Sequence, residues 1–233
     1  MPRTGTDGAT APPPDTADMT DTADTADTAD TADTADTASV QVGRTLLDEH
    51  LAVAAATADL LPGAAVVAAE LVGCFRAGGT LLTFGNGGSA ADAQHLAAEM
   101  VGRFRRDRRP LSAVALTVDS SAMTSIGNDY GFEHVFARQV RALARPGDVV
   151  VGVSTSGTSP NVVAGLAAAR SAGARTVLLT GAVGRPGLAD HCLAVPSTTT
   201  ARIQELHVFL IHLVSEIVDA WAVGGDAARD LLR

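Results

Sequence analysis

Hydrophobic and polar positions along this chain follow three regimes. In the first, "APPP" is followed by Asp-Thr-Ala, repeated six times from Asp21 to Ala38. A period of three is neither a helical face nor a solenoid repeat, and the segment offers almost nothing to bury. Residues 1–40 are therefore expected to be a disordered, acidic, low-complexity tail. In the second regime, from Thr45, apolar residues recur at helical spacing through "TLLDEHLAVAAATADLL". A break is expected at Pro62-Gly63, and a second helical run, "AAVVAAELVGCFRAGG", should end at Gly78-Gly79.

In the third regime, short apolar runs alternate with helical patterns. Strands are expected at 80–84, 112–117, 148–153, 175–180 and 191–196. Helices are expected at 89–101, 120–126, 132–143, 161–172 and 200–223. Buried strands alternating with helices predict an α/β fold, a doubly wound, five-stranded parallel sheet covered on both faces. Residues 41–233 would form this one domain, with a helical segment at its start. In such folds ligands bind beyond the carboxyl ends of the strands.

Composition refines the picture. Of 233 residues, 46% are hydrophobic but only 3% aromatic, so the core must be built from Ala, Val and Leu. The net charge of -9 is concentrated in residues 1–40, which hold nine Asp and one Arg. The rest is nearly neutral, and no long basic stripe suggests a nucleic-acid partner. "GRFRRDRRP" (102–110) is the one basic cluster, expected to be a solvated loop or a local anion site. Cys74 and Cys192 lack CxxC spacing and fit reduced core thiols. No signal-peptide pattern and no run of about 18 apolar residues is present, so a soluble, cytoplasmic chain without membrane contact is expected.

Two strand-to-helix junctions carry candidate chemistry. "FGNGGS" would bring backbone N–H groups and a helix N-terminus close to a ligand, but it matches neither GxGxxG nor a P-loop. "STSGTSPN" places five hydroxyls (Ser154, Thr155, Ser156, Thr158, Ser159) and Gly157 before a helix. One hydroxyl suffices for a cap, and five with free N–H groups can surround a phosphate. His95 and Glu99, four residues apart on a helix, share a face and suit a metal site or an acid/base pair. On the last helix, Gln204 and His212 lie about 12 Å apart along the axis. They reach one metal only if it sits between them or if two subunits each supply one. By itself, Gln204 would be an unusual zinc ligand, and His212 sits in an apolar run that suits a core histidine.

Taken together, "GNGGSAADAQHLAAE" (85–99), "GRF" (102–104), "GNDYGFEHVFARQV" (127–140), "STSGTSPNV" (154–162), "TARIQELH" (200–207) and "LIH" (210–212) resemble the phosphoheptose isomerase family, within the sugar isomerase (SIS) domain superfamily. The resemblance spans roughly 45–230. It implies isomerisation of sedoheptulose 7-phosphate to D-glycero-D-manno-heptose 7-phosphate, in a homotetramer with one zinc per subunit, feeding nucleotide-activated heptose biosynthesis. Ser154, Thr155, Ser156 and Ser159 would hold the phosphate. Asn86, Gly87, Gly88, Asn128 and Asp129 would contact the sugar, with Glu99 and Gln204 also in reach. His95, Glu99, Gln204 and His212 would be metal ligands, Glu99 and His212 the catalytic acid/base pair, and Arg103 a support. The resemblance also leaves a non-catalytic reading, a phosphosugar sensor or a replication-initiator-binding protein using the same pocket.

Overall fold

A computed structural model describes residues 26–184 and 187–224, with side chains from residue 37 onward. The expected disorder of residues 1–25 lies outside this range. From Ala26 the repeats differ from the expectation, because they form part of helix α1 (Ala26–Ala56). Alanine at every third position has the highest helix propensity, and each further residue of a nucleated helix adds a hydrogen bond. The chain divides into two compact units, 1–45 and 46–233, and the second contains the sheet.

The first helix gives way at the 3-10 turn Thr57–Leu60 rather than at Pro62-Gly63. Buried Thr57 turns its hydroxyl back to the Val53 carbonyl at 2.8 Å. Helix α2 (Leu61–Arg76) then accommodates Pro62 in its first turn, where no backbone N–H is required.

The strands are β1 (Leu81–Gly85), β2 (Ala113–Ala115), β3 (Val149–Val153), β4 (Arg175–Thr180) and β5 (His191–Ala194). They form one sheet in the order β2-β1-β3-β4-β5, and every pairing is parallel. After β1 the chain crosses to β2 on one side and then returns to β3 on the other. The β1/β3 boundary is therefore the point where strand order reverses, which opens a crevice at their carboxyl ends. Helices α3 (Gly88–Val101), α4 (Ser120–Tyr130), α5 (Val135–Leu143), α6 (Pro160–Ser171) and α7 (Thr200–Val223) complete the fold. On one face α2, α3 and α7 bury Leu71, Leu96, Val151, Leu210 and Ile211. On the other α5 and α6 bury Phe136, Val150 and Leu166 against Phe84, whose ring stacks on Phe136 at 4.9 Å. Alternate β3 valines serve opposite cores, as a strand covered on both faces requires.

Two helical stretches, Thr37–Arg76 and Thr200–Val223, are long and apolar enough to cross a membrane by length and composition. The sequence count missed them because polar and charged residues interrupt each apolar run while Ala, Val, Leu and Ile keep the mean hydropathy high. Half of the α7 window is buried inside the protein.

The basic run also departs from expectation. Arg108 and Asp219 form a fully buried ion pair, Nε to Oδ1 at 2.6 Å. Asp219 Oδ2 accepts the backbone N–H groups of Arg105 and Arg106, each at 2.8 Å. Arg108 further donates to the carbonyls of Glu99 (2.6 Å) and Met100 (2.8 Å) in the last turn of α3, where a cation satisfies orphan acceptors and opposes the helix dipole. The loop is thus a clamp joining α3 to α7. Its partner, Asp219, stands 111 residues from Arg108, too far for local sequence to reveal.

Candidate active site

Both expected junctions flank the β1/β3 crevice. Asn86, in the glycine turn after β1, exchanges two amide hydrogen bonds with Asn161 at the start of α6, at 2.9 and 2.8 Å. Behind it, Gly87 caps α3 with φ 56. Gly88 lies under Gln204: a Cβ at Gly88 would collide with the Gln204 amide.

After β3, the hydroxyls of the second junction gather on one another instead of capping the helix. Ser154 Oγ lies 3.0 Å from Ser159 Oγ and 3.4 Å from Ser156 Oγ. Ser156 Oγ also accepts from the backbone N–H and the hydroxyl of Thr158, at 3.2 and 3.0 Å. Ser159 occupies the N-cap of α6 yet makes no side-chain capping bond. That geometry is a ring of donors in front of a helix N-terminus, suited to an anion with spread charge. Thr155 contributes its carbonyl to Gly181 N–H at 3.1 Å.

Helices α3 and α7 run side by side, and their facing residues form a polar seam. Gly88 meets Gln204 at one end. Two turns along, His95 Nε2 lies 3.0 Å from Glu99 Oε1 and 3.2 Å from His212 Nε2. One ligand atom from each of His95, Glu99 and His212 falls within 4.8 Å of the others. Phe104 of the "GRF" run covers His212, ring centroids 5.2 Å apart. Burial pushes the His212 imidazole below its ordinary value, the neighbouring His95 adds to this, and Glu99 opposes it. A neutral imidazole that can accept a proton results.

Gln204, expected among the metal ligands, packs its amide on Gly88, two turns before His95 on α3. Asn128 and Asp129 stand exposed at the end of α4, joined to each other at 2.8 Å. Arg103 bonds the Arg105 carbonyl at 3.3 Å.

The middle of the seam holds a pair that the sequence did not single out. Asp92 Oδ2 and His207 Nδ1 are buried, lack hydrogen-bond partners and lie 4.0 Å apart. His207 Nε2 faces the Thr180 carbonyl at 3.1 Å, which fixes the proton there and leaves Nδ1 bare. Burial pushes His207 down to about 4, against the Thr180 bond, and pushes Asp92 up to about 6, against His95. At neutral pH the imidazole is uncharged, so the approach is not an ion pair. Helical spacing is the signal that was available: Asp92 lies three and four residues from Ser89 and Leu96, both buried. Because the folded-state value of Asp92 is raised, its favourable contribution is full below about 4 and is lost as pH rises through about 6. Asp92→Asn, which can also donate to His207 Nδ1, should therefore raise the melting temperature at pH 8 and change it little at pH 4. Thermal melts of both proteins at the two pH values check this.

Comparison with known proteins agrees with this geometry. A family model described as the SIS domain matches residues 51–181. That match takes in the glycine turn, His95, Glu99 and the hydroxyl loop, and stops before α7. The phosphoheptose isomerase of Roseiflexus sp. (strain RS-1) is 58% identical over 161 residues, 68% of this chain and 81% of that protein. The structure of phosphoheptose isomerase from Neisseria gonorrhoeae is 44% identical with a TM-score of 0.71, covering 77% of this chain and 97% of that one. A phosphoheptose isomerase from Francisella tularensis gives a TM-score of 0.74 at 34% identity, covering 78% and 98%. With its five-stranded parallel sheet and its paired junctions at the strand-order reversal, the chain belongs to the phosphoheptose isomerase family of SIS domain proteins.

Proposed function

We propose that this protein converts sedoheptulose 7-phosphate to D-glycero-D-manno-heptose 7-phosphate, supplying nucleotide-activated heptose biosynthesis. The observation that carries the reading is the convergence of His95, Glu99 and His212 where α3, the helix that opens from the crevice, meets α7. A sensor or partner-binding protein needs the hydroxyl loop but has no use for that triad.

The hydroxyls of Ser154, Thr155, Ser156 and Ser159, with the α6 N-terminus, hold the 7-phosphate. Asn86 and the N–H groups of the Gly87-Gly88 turn orient the sugar, with Asn128 and Asp129 at its edge. Glu99 takes a proton from C1 and later delivers it to C2, passing through an enediol. The neutral His212 imidazole takes the O1 proton and delivers it to O2, so C1 becomes the aldehyde and C2 the hydroxyl-bearing carbon.

Two imidazoles and a carboxylate suit zinc. One ligand atom from each of the three lies within 4.8 Å of the others, so a single ion could reach all of them. His95, Glu99 and His212 would hold the ion. An ion held there would supply Lewis-acid polarisation of the substrate carbonyl. Exposed Leu47 and Leu51 on α1, each 56% accessible, support self-association, here as a homotetramer. Two free cysteines support a reducing, cytoplasmic location.

The test is an NMR assay of the purified protein on sedoheptulose 7-phosphate, with added zinc and with chelator. Aldose product with zinc and a loss of at least tenfold with chelator are expected. Phosphosugar binding without product under both conditions would replace the isomerase with the sensor reading.

A further inference from the structure

A cavity of about 430 Å³ adjoins the hydroxyl loop, lined by Phe132, Glu133, Pro160 and Asn161. It borders the crevice through Asn161, which is buried and locked to Asn86 by the reciprocal amide pair. Asn161 Oδ1 accepts from both Asn86 and Val162 N–H, so its acceptor capacity is filled. One N–H of its amide remains to donate into the cavity.

The opposite wall comes from the short 3-10 turn Phe132–His134, which the chain enters through Gly131 at φ 93. Phe132 keeps 58% of its surface exposed beside this cavity, whereas Phe84 and Phe136 are fully buried. Glu133 folds its carboxylate back over Gly131, with Oε2 2.8 Å from where a Cβ would stand. Its one described ionic partner is His134 at 3.8 Å, beyond hydrogen-bond distance. An uncovered aromatic face and an acceptor-only carboxylate thus meet a spare amide donor, next to a loop built for phosphate. That combination recognises a polyhydroxylated chain: the ring covers its C–H face, the carboxylate accepts from neighbouring hydroxyls, and the amide donates to a hydroxyl oxygen.

We propose that Phe132 and Glu133 form the wall of the sugar subsite, reading the hydroxyl-bearing middle of the substrate chain while the hydroxyl loop holds its phosphate. The proposal rests on the isomerase reading for the substrate's identity but not for the existence of the subsite. Glu133 is a specificity residue here, remote from the bonds that change.

The test uses full-length protein carrying Glu133→Gln, Phe132→Ala or Phe132→Tyr, with sedoheptulose 7-phosphate as substrate and inorganic phosphate as competitor. Glu133→Gln and Phe132→Ala should each raise KM about tenfold, leave kcat within twofold and leave phosphate inhibition unchanged. Phe132→Tyr, which keeps the ring, should behave as wild type. Unchanged KM in both damaging variants overturns the wall. So does a parallel loss of phosphate inhibition, which would move Glu133 to the phosphate site. If the wild type binds the sugar phosphate without turning it over, titration calorimetry reads the same contrast as Kd, and only the isomerase reading fails. If the wild type does not bind the sugar phosphate, both fail.

Discussion

Glu99→Gln is expected to lower kcat by about three orders of magnitude while leaving the fold and phosphate affinity intact. The substitution keeps the side chain's size and one acceptor oxygen but removes the base. The pocket around Glu99 is already polar, with His95 Nε2 at 3.0 Å, so an amide is accommodated without burying an unpaired group. His212→Ala should lose a similar factor. The double variant should lose little more than either alone, because two groups that act on one proton path fail as a unit. Turnover by NMR, with circular dichroism as the folding control, decides the matter. If each variant retains turnover within tenfold of wild type, the pair has no place in the mechanism.

Asp219→Ala should be the most damaging single change away from the site, costing about 3–5 kcal/mol because it strands the buried Arg108 guanidinium. Two backbone donors, Arg105 N–H and Arg106 N–H, lose their acceptor at the same time. For a domain of this size that is a fall of roughly 10 °C in Tm, readable by calorimetry. Although burial raises the Asp219 carboxyl, the Arg106 and Arg105 N–H groups and the Arg108 guanidinium hold it below its usual range. Its contribution is therefore present above the unfolded value near 3.8 and is lost as pH falls below it. The difference between wild type and variant should accordingly shrink under acid. A drop in Tm of less than 2 °C at pH 7 would mean that the clamp is dispensable.

Hydrophobic periodicity made most of the fold legible. Strand 175–180 and helix 200–223 were placed as observed, since both have clean boundaries: a Gly-Ala turn before the strand and a threonine run before the helix. The edge strand β2 came out shorter than expected, at three residues, because an edge has a partner on one side only. Pro62 misled because proline is a breaker inside a helix but welcome in its first turn. At the site, the triad residues were visible as a helical His/Glu pair and a histidine in an apolar run. That His95 and His212 meet was invisible, since 117 positions separate them. Gln204 was assigned to the ligand set by resemblance, and its amide lies against Gly88 in the seam. Asp92 was overlooked because one acidic residue among alanines looks like a solvent-facing position until the partner helix is known.

The seam between α3 and α7 has a consequence for how the sequence can change over time. It brings together three couples: Gly88 with Gln204, Asp92 with His207, and His95 with His212. Partners in each couple are separated by more than a hundred positions in the gene but by one side chain in space. A larger residue at Gly88 collides with Gln204, loss of either His95 or His212 removes the other's partner, and a bulkier residue at Asp92 or His207 crowds its buried neighbour. Relatives that alter one of these positions should therefore alter its mate as well, and recombination that exchanges the second half of the gene between distant relatives should split all three couples at once.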